Sequence, residues 1–285
     1  MNTKYPVSLG ISPCPNDTFM FFHLLHKSEL AGKDKISLTV EDVEDLNKLC
    51  LSHSLDISKM SFHVFGKLRD KYWLLNSGSA LGRGCGPLII SQKHIANLSG
   101  KTVAIPGLNT TAFLLLKCFA PDDIKVKEML FSDIMPAVQN GDVDAGLIIH
   151  ESRFTYQKLG LHLVRDLGDW WEEETGLPIP LGGIIASRNL PEKQILIFDT
   201  ILKQSIETAM GSDWMNNPEM MKFILDNSQE IEPEVLKAHI QTYVNEESIR
   251  LSKSGKAGIQ KLFEVAEQRG FIPKCDLPIF IGDTL

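Results

Sequence analysis

The chain has 285 residues and a net charge of −7, with 43% hydrophobic and 23% charged residues, the mix of an ordinary globular protein of one or two domains. There is no Lys/Arg stripe, which argues against a nucleic-acid partner, and no run approaches the roughly 18 apolar residues of a membrane span. The five cysteines are odd in number, widely spaced and free of C-x-x-C pairs, which is reduced-compartment usage rather than a disulfide framework or zinc knuckle.

In chain order, residues 7–11 read as a strand that stops at Ser12-Pro13. The apolar patch is too short for a secretory signal, so a cytoplasmic location is expected. Asn16 or Asp17 offers an N-cap for a helix over 18–26. Strands are expected at 36–43, 56–60 and 72–75, and helices at 45–52 and 61–68. This β-α alternation predicts a mostly parallel sheet with helices on both faces.

A glycine cluster, Gly78, Gly82, Gly84 and Gly86, reads as a flexible crossing. It is not a dinucleotide fingerprint, because the spacing is wrong and a strand follows. A second series then runs through strands at 88–90, 102–105, 125–130, 145–149 and 161–165, with helices at 110–119, 133–140 and 169–174. A second Gly/Pro passage, 176–183, precedes a strand at 184–187, and 191–269 reads as helical throughout. Pro191, Pro218 and Pro233 sit where a first-turn proline would open a helix.

Two crossings suggest an inserted domain. Residues 1–88 and 184–285 would form a discontinuous larger lobe and 89–183 a smaller one. That is the layout of an α/β, two-lobed periplasmic-binding-protein-like (type II) fold with a helical C-terminal part. One continuous doubly wound domain is the competing layout.

Several stretches carry candidate chemistry. In Gly146-Leu147-Ile148-Ile149-His150-Glu151 a buried strand runs into a histidine. Ligands gather at the carboxyl ends of such strands, and a neutral imidazole there suits a general base; a satisfied core histidine is the plainer reading. Glu151 reads as a helix-start residue. Residues 106–112, PGLNTTA, follow a strand and open a helix, so their amides suit a carboxylate or phosphate; a simple Thr or Asn cap is the alternative. In Ser58-Lys59-Met60-Ser61-Phe62-His63, Ser61 would cap the next helix or bond a ligand, and Lys59 would neutralise a substrate carboxylate or remain solvated. His23 and His26 share a helix face without a third ligand, so they read as a packing pair rather than a metal site. Trp170 reads as part of a helix with one aromatic face buried. Cys14, stiffened by Pro13 and Pro15, has no neighbouring base in sequence and reads as a packing residue.

"SPCPNDTF" at 12–19 resembles the 1,4-dihydroxy-6-naphthoate synthases. The likeness continues through "SKMSFH" at 58–63, "SGSALGRGCGPL" at 77–88, "PGLNTTA" at 106–112, "GLIIHE" at 146–151 and "GLPIPLGG" at 176–183. It covers most of the chain before the C-terminal helices. It implies the two-lobed fold with the site between the lobes, and an enzyme without metal or organic cofactor. It implies cleavage of cyclic de-hypoxanthine futalosine to 1,4-dihydroxy-6-naphthoate and a three-carbon fragment in menaquinone biosynthesis. The family's cleft histidine falls on His150, its hydroxyl contacts on Ser61 and Thr111, and its anion-binding amides on Thr111 and Ala112. Asn16 and Lys59 are further expected substrate contacts. A monomer or homodimer acting on a small molecule is expected. Chorismate dehydratase of the same pathway and a non-catalytic small-carboxylate binding protein are the alternatives.

Overall fold

The computed structural model describes residues 6–32, 34–228 and 232–282. The expected stretches at 1–5, 229–231 and 283–285 lie outside the described residues. The first series comprises β1 (Val7–Ile11), α1 (Pro15–Lys27), β2 (Ile36–Val40), α2 (Val43–Leu51), β3 (Ile57–Ser61), α3 (Phe62–Lys67), β4 (Tyr72–Leu74) and β5 (Ala80–Gly82). The second comprises β6 (Leu88–Ser91), β7 (Thr102–Ile105), α4 (Thr111–Phe119), β8 (Lys125–Glu128), α5 (Phe131–Asn140), β9 (Ala145–Ile148), α6 (Ser152–Thr155), β10 (His162–Asp166) and α7 (Leu167–Thr175). β11 (Ile179–Ser187) follows, then α8 (Glu192–Met210), α9 (Pro218–Asn227), α10 (Pro233–Tyr243), α11 (Glu246–Ile249) and α12 (Lys253–Gln268).

The strands form two sheets. One has the order β2-β1-β3-β11-β4, with β5 also on β11; the other runs β10-β6-β9-β7-β8. Both are mixed, which corrects the expectation of a mostly parallel sheet. β1 is parallel to β2 and β3, and β7 to β8 and β9. β11 runs against β3, β4 and β5, and β6 against β9 and β10. The β-α pattern cannot reveal this. A parallel neighbour needs a crossover within one sheet, and β6 and β11 each arrive from the other sheet.

The two Gly/Pro passages are also more ordered than a flexible crossing. β11 spans the expected 183/184 boundary and pairs along its length with the first sheet, with a bulge between Pro180 and Gly182. Gly183 is closely packed: a Cβ there would stand 2.6 Å from Leu74 Cδ1, so that side chain would have to move. At the first crossing, a Cβ on Gly86 would stand 2.1 Å from the amide nitrogen of Gly168, so the two passing chains touch backbone to backbone. Arg153 pins that crossing, donating to the carbonyls of Gly86 (2.5 Å) and Gly84 (2.9 Å) and to Asp166 Oδ2 (2.6 Å).

Helix α1 starts earlier than expected. Pro15 takes the first helical position, where its missing N–H costs nothing, and Cys14 stands at the cap without a side-chain bond. Asn16 and Asp17 are therefore inside the first turn and cap nothing. Phe19, Phe21 and Phe22 of α1 are buried in a core shared with Ile201, Leu202 and Ile206 of α8. Ser205 of α8 ties the two together by donating to the Met20 carbonyl at 2.6 Å and accepting from the Leu24 amide at 3.0 Å. Pro218 and Pro233 open α9 and α10 as expected, whereas Pro191 is the cap of α8. The helical stretch is broken between these elements rather than continuous. His26 and His23 pack: His26 Nδ1 meets the Phe22 carbonyl at 2.9 Å and its ring stacks on Phe22. Among the described residues, no helix is long and apolar enough to cross a membrane.

Candidate active site

A cavity opens among strand ends and helix starts that belong to both sheets. Asn16, Lys59, Ser61, Thr111, Ala112 and His150 all line it. Each comes from the end of a strand or the start of a helix. The turn after β1 brings Cys14 and Asn16, the end of β3 brings Lys59 and Ser61, α4 begins with Thr111 and Ala112, and His150 follows β9. Strand ends leave backbone groups and side chains unpaired by the ladder, which is why ligands collect there. Arg83 is not among the lining residues; it holds Glu172 at 2.9 Å on an exposed face.

Lys59 Nζ sits 2.7 Å from Asp17 Oδ1, with both side chains nearly inaccessible. Asp17 is saturated further by the amide (3.2 Å) and hydroxyl (2.7 Å) of Ser12, both on Oδ2, and by Asn16 Nδ2 (2.9 Å) on Oδ1. A buried carboxylate tolerates ionisation only with such a set of donors. Lys59 thus faces the cavity as half of a pair.

Ser61 stands at the N-cap position of α3 but makes no capping bond. Asn47 holds it instead: Asn47 Nδ2 donates to Ser61 Oγ, and the Ser61 amide donates to Asn47 Oδ1, both at 3.0 Å. With Oγ already accepting, its hydroxyl hydrogen is left to donate. Thr110 caps α4 by accepting from the Phe113 amide at 3.1 Å. The amides of Thr111 and Ala112 belong to the first turn, which has no intrahelical acceptor for them. The Thr111 hydroxyl reaches across to the Leu181 carbonyl of β11 at 2.5 Å. A second bridge between the two halves is Asn109, which donates to Glu44 of α2 at 2.7 Å. Burial raises the Glu44 carboxyl above its ordinary value, against the pull of its bonds to Asn109 and Asn47.

His150 has φ +56°, a left-handed conformation for a residue with a Cβ. Backbone held this way gathers at functional sites. Its Nδ1 lies 3.2 Å from Cys14 Sγ, so Cys14 does have a basic neighbour after all, 136 positions away. Burial, then the Asp17 carboxylate, pushes the Cys14 thiol well up, so it stays protonated. Glu151 starts α6, as read from the sequence.

The lining residues that escaped the sequence reading include His239 and Tyr243. They lie on the buried face of α10 with Val235, Leu236 and Ile240. A histidine within an apolar stripe was the available signal. Its Nε2 is 2.9 Å from Asn16 Oδ1, and its ring stacks parallel to His150 with centroids 6.3 Å apart. Burial, with His150 and Lys59 nearby, drives the His239 pKa well below the usual imidazole value. Burial raises the Tyr243 phenol. Trp171 is enclosed and donates to the Pro178 carbonyl, while Trp170 is half-buried.

The menaquinone biosynthesis family profile matches residues 7–268. The chain is 42% identical over 273 residues to a Thermus thermophilus protein named 1,4-dihydroxy-6-naphthoate synthase, covering 96% of this chain and 98% of that one. The chain belongs to the 1,4-dihydroxy-6-naphthoate synthase family of menaquinone biosynthesis. A Streptomyces coelicolor protein of the same name is 40% identical, covering 94% of this chain and 95% of the relative. An Archaeoglobus fulgidus crystal structure superposes with TM-score 0.86 at 34% identity, covering 93% of this chain and 98% of that one. The Escherichia coli periplasmic aliphatic sulphonate binding protein does so with TM-score 0.66 at 14% identity, covering 98% of this chain and 94% of that one. The synthase-family chain therefore has the periplasmic-binding-protein-like fold, and is an enzyme of the pathway rather than an unclassified binding protein.

Proposed function

We propose that this chain cleaves cyclic de-hypoxanthine futalosine to 1,4-dihydroxy-6-naphthoate and a three-carbon fragment, with His150 as general base. The observation that carries this reading is the convergence of a strained histidine, two hydroxyl residues and a helix N-terminus on one cavity. The first-turn amides of Thr111 and Ala112 receive the substrate carboxylate. Ser61 donates to a substrate oxygen, Thr111, whose hydrogen goes to the Leu181 carbonyl, accepts from a substrate hydroxyl, and Asn16 and Lys59 complete the polar wall.

His150 serves as base through Nε2 when Nδ1–H donates to the Cys14 sulfur. The proton is taken from carbon beside a carbonyl, and the resulting negative charge is held by hydrogen bonds before the carbon–carbon bond breaks. Formation of the aromatic product supplies driving force; the protein orients and deprotonates. The lobes are taken as 1–88 with 184–285 and 89–183, closing on substrate to exclude water. A cytoplasmic location goes with this reading.

The test is a mass-spectrometric assay of purified protein with cyclic de-hypoxanthine futalosine. Dihydroxynaphthoate should appear, and His150→Ala should lose on the order of 10²–10⁴ in rate. Near-normal turnover by that variant sinks the base assignment. Saturable binding without product moves the chain to a ligand-binding class, and inactivity toward this substrate makes chorismate the next candidate.

A further inference from the structure

The hydrogen bonds around His239 determine which of its ring nitrogens carries hydrogen. Asp17 accepts from Lys59, Ser12 and the Asn16 side chain. A carboxylate bonded in this way only accepts, so Asn16 must turn Nδ2 toward Asp17. Its Oδ1 therefore faces His239 Nε2 at 2.9 Å. An amide oxygen also only accepts, so Nε2 of His239 carries the hydrogen. The ring is 1% exposed and packed against His150, Tyr243 and Phe154. Its depressed pKa keeps it neutral. Nδ1 is then a bare lone pair, buried, and without a hydrogen-bond partner among the described residues.

An unmet buried acceptor costs stability, and this one belongs to a ring that lines the cavity. We propose that His239 is a substrate-binding residue whose Nδ1 accepts a hydrogen bond from a hydroxyl of the substrate. A hydroxyl fits better than an ammonium, because Lys59 stands close by and disfavours a second cation. Lys59, Asp17 and Asn16 are then positioning residues: their chain of bonds fixes the His239 tautomer. The inference rests on the lyase reading only for the identity of the hydroxyl-bearing substrate.

Two measurements test it. Nitrogen-15 spectra of histidine-labelled full-length protein should show His239 as the Nε2–H tautomer, with an unprotonated Nδ1 resonance that shifts on adding cyclic de-hypoxanthine futalosine. In kinetics, His239→Phe should reduce kcat/KM by on the order of tenfold, mainly through KM. His239→Asn, which offers an amide oxygen near the place of Nδ1, should recover most of that loss. An Nδ1–H tautomer, an Nδ1 signal unmoved by saturating substrate, or a folded His239→Asn no better than His239→Phe overturns the proposal. If neither variant folds, the spectra decide. A wild type that binds the substrate without turning it over overturns the lyase reading instead and leaves the spectral result standing.

Discussion

Cys14 Sγ lies 3.2 Å from His150 Nδ1, joining the first turn after β1 to the turn after β9. Burial pushes the thiol pKa well up, so the pair is not a thiolate–imidazolium nucleophile. The sulfur can receive Nδ1–H and orient the ring. Cys14→Ala should therefore lower kcat by on the order of tenfold with KM little changed, and Cys14→Ser should retain most of the rate. Steady-state kinetics on the two variants decides it; an alanine variant with wild-type kcat removes Cys14 from any orienting role.

Lys59 and Asp17 form a buried pair at 2.7 Å. Removing one partner leaves an uncompensated charge, which costs roughly 3–5 kcal/mol. Lys59→Met should lower the urea midpoint accordingly, and adding Asp17→Asn should restore part of it. Equal stability of Lys59→Met and wild type would show that Asp17 finds solvent without Lys59.

His63, at the start of α3, is buried, and burial followed by the nearby Lys67 charge pushes its pKa down to about 4. A depressed imidazole favours the folded state above its unfolded pKa of roughly 6.5, and that stability is lost as pH falls toward the folded value. Between pH 7 and pH 4.5 this one group accounts for about 2 kcal/mol. His239 acts in the same direction, and Glu44, whose carboxyl is raised, in the opposite one. His63→Gln should shrink the drop in denaturant midpoint between those two pH values, measured by chemical unfolding. An unchanged acid limb would place the titration elsewhere.

Local signals read well wherever the physics is local. Strand 102–105 coincides with β7, and Thr110 after it caps α4 through a bond three residues along the chain. His150 at the end of an apolar strand, and the PGLNTTA turn, could be singled out because strand ends and helix starts expose unpaired groups whatever the rest of the fold does. The motifs shared with the synthase family pointed to Ser61 and Thr111, which side-chain patterning alone left between cap and ligand contact.

What the sequence determined by itself was therefore the α/β class, most element positions, and which strand-to-helix turns carry polar residues toward a site. Tertiary structure alone decided the rest. The direction of β6 and β11 depends on which sheet the chain arrives from. The part of the Gly/Pro passage from Ile179 on becomes strand by pairing with β3 and β5, partners that lie far away in the chain. Cys14 finds His150, and Asn16 finds His239 at a separation of 223 residues. Hydrogen bonds and burial act through space, so the tautomer of a buried histidine is decided by neighbours that only the folded chain supplies.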